Sequence, residues 1–269
     1  MENDLIDVFF YVPDGVRNVS NKKEIVYHLA NKIEEDDRLS ISGHIEKKDL
    51  IEGLHNSMGG GDVPNHVKLP DVQMYQLQDT INTLTDEIHK KLPIPTKNFL
   101  FLFPYFPGEE EKEMEGVMGV ARYSCVFHMF ISPTEFTYTA FRETFVHEFN
   151  HTIYYYLHFD RFGTFTLFDH CIMEGLAEHF REDVVGGTGS PWAHALTEPE
   201  AMAVLKQIEN DLDIVDDTYR EQLMFGGETF KTWTGYSIGY WLVHRARKEH
   251  PQMPWKELMK KRKEFYIQT

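Results

Sequence analysis

The chain has 269 residues, 42% of them hydrophobic and 14% aromatic, with 43 acidic against 27 basic side chains and a formal net charge of −16. That content can bury a full core as one domain or two closely packed lobes, and the charge argues against nucleic acid and anionic membrane as partners. No run approaches the length of a membrane span, and the opening Met-Glu-Asn-Asp lacks the basic region and apolar core of a signal peptide, so a cytoplasmic protein is expected.

In chain order, the first 95 residues read as a helical lobe. Helical patterns run from Lys22 to Asp37, across Lys47 to Leu54 and from Val72 to Leu92. Met58-Gly59-Gly60-Gly61-Asp62-Val63-Pro64 reads as a flexible break, and Leu92-Pro93-Ile94-Pro95 as the boundary to a second part, residues 96–269. Two short aromatic and β-branched runs follow, 98–104 and 125–131, with the pattern of strands in a small mixed sheet. Between them the acidic stretch 107–115 reads as a solvated connection without calcium-loop spacing. His128 and Arg122 are assigned to the strand surface, with substrate contact as the alternative.

Ser132-Pro133-Thr134-Glu135 has the form of a capping box with proline at the first helical position, so a helix is predicted to begin there. Phe141, Phe145, Phe149 and Ile153 then recur at helical spacing. Beside this apolar stripe lies His147-Glu148-Phe149-Asn150-His151, an H-E-x-x-H motif in mid-helix. Positions i and i+4 share one helix face, so both imidazoles can grip one ion, with zinc the natural candidate. Glu148, on the flank of that face, can reach a water at the metal and take its proton. The alternative is that both histidines are ordinary side chains on a half-exposed face.

A third ligand would separate these readings. The extended pattern with a third histidine fails, since Tyr154 and Leu157 occupy its glycine and histidine positions and His158 is one residue out of register. A glutamate from a second helix remains. Residues 168–180 form such a helix, with Ile172, Leu176 and Phe180 as its apolar stripe and Glu174 and Glu178 one turn apart on another face. Glu174 is the expected third ligand. Glu178 is the expected acceptor for the outer ring nitrogen of a histidine, His147 being preferred, and otherwise a solvated charge. Gly175 inside a helix predicts close approach to a partner helix, with Ala177 serving the same end. Cys125 and Cys171 lack a C-x-x-C partner and are expected as free thiols.

The H-E-x-x-H block, Glu174-Gly175-Leu176-Ala177-Glu178 and Gly235-Tyr236-Ser237-Ile238-Gly239-Tyr240 together resemble the predicted zinc-dependent proteases of the YjaZ-like group, within the gluzincin peptidases, over roughly residues 96–250. The resemblance implies an α+β, predominantly helical fold. Its parts would be a zincin-like catalytic core with a small mixed sheet, an active-site helix and a glutamate helix, beside the N-terminal helical lobe. It also implies His147, His151 and Glu174 as ligands, Glu148 as base, and a cleft edge formed by the strand just before the active-site helix, where an extended peptide could add.

The third block has its own reading. Tyr236, Tyr240 and His244 fall at i, i+4 and i+8 of a helix opening near Thr234, and a phenol or imidazole there could stabilise an oxyanion. Tyr236 is preferred, His244 is second, and packing by these aromatics is the competing view. The expected function is a zinc metallopeptidase with one Zn2+ per chain and a peptide or protein substrate. The alternative is a zinc-stabilised binding or regulatory protein with a peptidase-like fold.

Overall fold

A computed structural model describes residues 4–10, 22–34, 47–63, 69–93 and 96–269. The sequence-predicted helical positions 35–37, and Pro64, Ile94 and Pro95 of the expected break and boundary, lie outside the described residues. The fold is α+β and predominantly helical, with one small mixed sheet. Contacts divide the chain into two compact units, Met1–Asp86 with Pro95–Thr152, and Glu87–Ile94 with Ile153–Thr269. Among the described residues no helix is long and apolar enough to cross a membrane.

The first unit holds strands β1 (Ile6–Phe10), β2 (Asn98–Pro104), β3 (Val117–Tyr123) and β4 (Val126–Ile131) in the order β1-β2-β4-β3. β1 and β2 are parallel, as are β2 and β4, while β3 runs antiparallel to β4. Two of these strands, β1 and β3, were not legible in the sequence. β4 is interior, paired on both sides, so the expectation that the strand before the active-site helix forms the edge is corrected: that edge is β3.

Side-chain alternation gives the sheet two faces. On one, Phe101, Phe103, Val126 and Phe130 share a core with Ile25, Val26 and Leu29 of helix α1 (Lys22–Glu34) and Leu54 of helix α2 (Lys47–Ser57). The N-terminal helices therefore help to build the core over β2 and β4. On the other face Phe127 meets Phe145 and Phe149 of helix α4 (Tyr138–Leu157) edge-on, at 5.4 and 5.8 Å between centroids. Burying each such ring contributes on the order of 2–3 kcal/mol. Helix α3 (Asp71–Lys91) lies between α2 and β2 in the chain and crosses from the first unit to the second.

Two local expectations are corrected. The glycine-rich break is a packed turn. Phe106 N–H donates to Met58 O (2.8 Å) and Gly61 N–H to Phe106 O (2.7 Å), and Gly59 has φ +81° in a place where a Cβ would lie 2.3 Å from Phe106 O. The helix predicted from Ser132 begins instead at Tyr138. Ser132 Oγ does accept from Glu135 N–H (3.2 Å), but Ser132 N–H donates to Gly116 O and Thr137 N–H to Glu115 O, which holds 132–137 against the start of β3. Thr137 Oγ1 then caps the helix by accepting from Ala140 N–H (3.0 Å).

In the second unit, helix α5 (Leu167–Val185) opens with a capping box of Thr166 and Asp169. Helices α6 (Glu198–Gln207), α7 (Asp217–Phe225), α8 (Thr234–Glu249), α9 (Trp255–Leu258) and α10 (Lys263–Gln268) follow. The close approach expected at Gly175 is made with α8. A Cβ on Gly175 would lie 2.1 Å from Gly239 O, and one on Gly239 1.7 Å from Cys171 O. Gly235 lies beside Cys171, Gly239 beside Gly175 and Tyr240 beside His179, so the two helices run parallel.

Candidate metal centre

α4 carries the H-E-x-x-H motif in its third and fourth turns. His147 and His151 face each other, Nε2 to Nε2, at 3.0 Å, with ring centroids 4.6 Å apart. Tetrahedral zinc ligands at about 2.0–2.1 Å from the metal would be about 3.4 Å from one another, so the pair nearly has the spacing of two ligands. Glu174 of α5 completes the group: ligand atoms of His147, His151 and Glu174 all lie within 4.8 Å of one another, and among the described residues this is the one such cluster of His, Cys, Asp and Glu. Two imidazoles and a carboxylate form the N₂O donor set of zinc sites that keep a position open.

Glu148 is buried, at 8% exposure. Its Oε2 accepts the backbone N–H of Ala121 on the edge strand β3 at 2.7 Å. Gly119 makes room for it, since a Cβ there would lie 2.3 Å from Glu148 Cγ and 2.7 Å from Thr144 Cγ2. Neither Gly119 nor Ala121 was singled out in the sequence. The alternation of Val117-Met118-Gly119-Val120-Ala121 was the available signal, weakened by glycine and alanine.

Glu178, one turn beyond Glu174, is 1% exposed and pairs with Arg181 at 3.1 Å. It also accepts from Ser190 N–H (3.1 Å), Ser190 Oγ and Trp192 Nε1 (3.0 Å). The alternative of a solvated charge is thereby excluded, because this carboxylate anchors the segment after α5. Arg181, Ser190 and Trp192 carry no motif by which the sequence could have revealed them. Nearby, burial and then the charge of Glu174 push the Cys171 thiol up to about 12, and Cys171 is not among the residues whose ligand atoms converge. Both cysteines are free.

The third block divides. Tyr236 is half-buried, its ring 6.3 Å from that of Phe225. Tyr240 instead gives its hydroxyl to Glu182 (3.0 Å) and stacks on His179 at 4.3 Å. His244 lies 5.8 Å from the His179 ring. His179 is five residues past Glu174, about 7–8 Å farther along α5. His158, out of register for a metal, pairs through Nε2 with Met259 O at 2.9 Å. His128 meets Phe101 and Phe103 edge-on, on the sheet face opposite α4. The side chain of Arg122 lies outside the described residues.

Comparison with known proteins agrees with this geometry. Residues 74–267 match the family described as "Predicted Zn-dependent protease (DUF2268)". The uncharacterized protein YjfC of Bacillus subtilis (strain 168) is 24% identical over 148 residues, which are 51% of this chain and 49% of YjfC, so the chain spans about half the length of this curated relative. No solved structure matches. With a match over well more than half its length and a cluster of two histidines and a glutamate in the matched region, the chain belongs to this family of predicted Zn-dependent proteases.

Proposed function

We propose that the protein is a zinc-dependent metallopeptidase of the gluzincin type, acting as an endopeptidase. The observation that carries this reading is the convergence of His147, His151 and Glu174. These three would hold one zinc ion. When bound, zinc supplies Lewis-acid polarisation of a peptide carbonyl and makes water a nucleophile near neutral pH.

The chain's own residues do the rest. Glu148, held by the Ala121 N–H, takes a proton from the attacking water and hands it to the leaving amine. β3 is an edge strand of the sheet, so an extended peptide adds along it beside Glu148. The Tyr236 hydroxyl donates to the developing oxyanion. His244, packed against His179, is left out of this chemistry.

The test is to measure bound metal and peptide-library cleavage for wild type and Glu148→Gln. Stoichiometric zinc in both is expected, with cleavage reduced about 10²–10⁴-fold in the variant. Wild type without zinc would overturn the reading. Zinc without cleavage in either protein would favour a zinc-stabilised binding protein.

A further inference from the structure

The second unit contains an open cleft of about 370 Å³ lined by His179, Glu182, Asp183, His244, Arg247, Lys248, Pro251 and Trp255. Its acidic oxygens are already engaged. Glu182 accepts from Tyr240 and faces His179 Nδ1 at 3.3 Å, and Asp183 accepts from Trp255 Nε1 (2.8 Å) and Lys91 Nζ (3.1 Å). Both carboxyls are held below their usual range, Glu182 against the opposing pull of burial by His179 and Tyr240, Asp183 against the same pull by Trp255 and Lys91. His179 is engaged as well, its other nitrogen lying 3.0 Å from Tyr240 O.

The basic side is different. Arg247 lies over the Trp255 ring, its Cζ 4.6 Å from the centroid, and uses one nitrogen on Met253 O (3.1 Å), which leaves the rest of its donor fork over. Among the described residues neither the His244 imidazole nor the exposed Lys248 ammonium has a hydrogen bond or ion pair. Each carboxylate of the cleft thus already faces two groups of the protein's own, while the basic side has donors over, in a chain whose net charge is −16.

We propose that this cleft is a binding site for a small oxyanion, taken by Arg247, Lys248 and His244, with Pro251 beside it as an apolar wall. A cation would compete here with the donors that Glu182 and Asp183 already face. A metal finds no convergent ligands, since among the described residues the one group of ligand atoms within reach of a common ion is that of His147, His151 and Glu174. The site is independent of the proposed peptidase activity.

The test titrates the full chain with inorganic phosphate and, separately, with benzoate, by calorimetry. Saturable binding of at least one is expected. Phosphate alone identifies a tetrahedral oxyanion, benzoate alone a carboxylate on an apolar body. Lys248→Glu, at an exposed position that spares the fold, and His244→Gln should each weaken binding about tenfold or more, as expected for loss of a charge-assisted hydrogen bond. His147→Ala should leave it unchanged. No saturable binding of either anion at tens of millimolar, binding undiminished in Lys248→Glu, or binding lost in His147→Ala would each overturn the proposal.

Discussion

Helix α5 presents histidines and carboxylates to two places, and they have opposite fates. In its first half Glu174 joins His147 and His151, three ligand atoms within 4.8 Å of one another. In its last turns His179, Glu182 and Asp183 are at least as rich in such groups, yet they pair with each other and with Tyr240, Trp255 and Lys91. Residue type alone does not make a metal site. Convergence of lone pairs on one point does, and that depends on what each helix turn faces.

The sharpest way to break this contrast is to remove one carboxylate from each half. Glu174→Ala should lose stoichiometric zinc, whereas Glu182→Ala should keep it, measured as metal content after purification. Equal zinc in both variants would end the distinction.

Glu178 lies between the halves and tests whether a buried carboxylate can anchor structure one turn from a ligand. Its replacement by alanine removes the carboxylate that pairs with buried Arg181, a loss of about 3–5 kcal/mol in urea unfolding. A change within error would mean that Ser190 and Trp192 do not depend on it.

Gly175 and Gly239 hold α8 against both halves. Gly175→Ala forces a Cβ into a backbone carbonyl and should cost about 1–3 kcal/mol, with metal affinity falling as Glu174 shifts. Unchanged stability would show that α5 and α8 separate without cost.

The smallest effect belongs to Asp169, which starts the helix. Burial pushes its carboxyl up, but Thr166 and Arg161 outweigh this and hold it below the usual range. Its contribution is therefore present above the ordinary carboxylate pKa and is lost as pH falls through the depressed folded value. Asp169→Asn should cost about 1 kcal/mol at neutral pH and flatten the acid side of the melting-temperature profile. An unaltered acid limb would remove Asp169 from that role.

How legible this was depended on the range of the interactions. The stripe Phe141, Phe145, Phe149 and Ile153 marked α4 because helical burial repeats within a few residues. β1 and β3 were missed because a short strand is defined by its partners. The start of α4 was misplaced because Ser132 and Thr137 give their N–H groups to 115–116, a contact across about twenty residues.

By itself the sequence determined that His147 and His151 share a face and that Glu174 and Glu178 lie one turn apart, since helical periodicity is local. Only the tertiary structure decided the rest: that Glu174 meets the histidines, that β3 supplies the N–H for Glu148, and that His244 turns to a second cleft. Those outcomes rest on side chains distant in sequence competing for the same donors, acceptors and space.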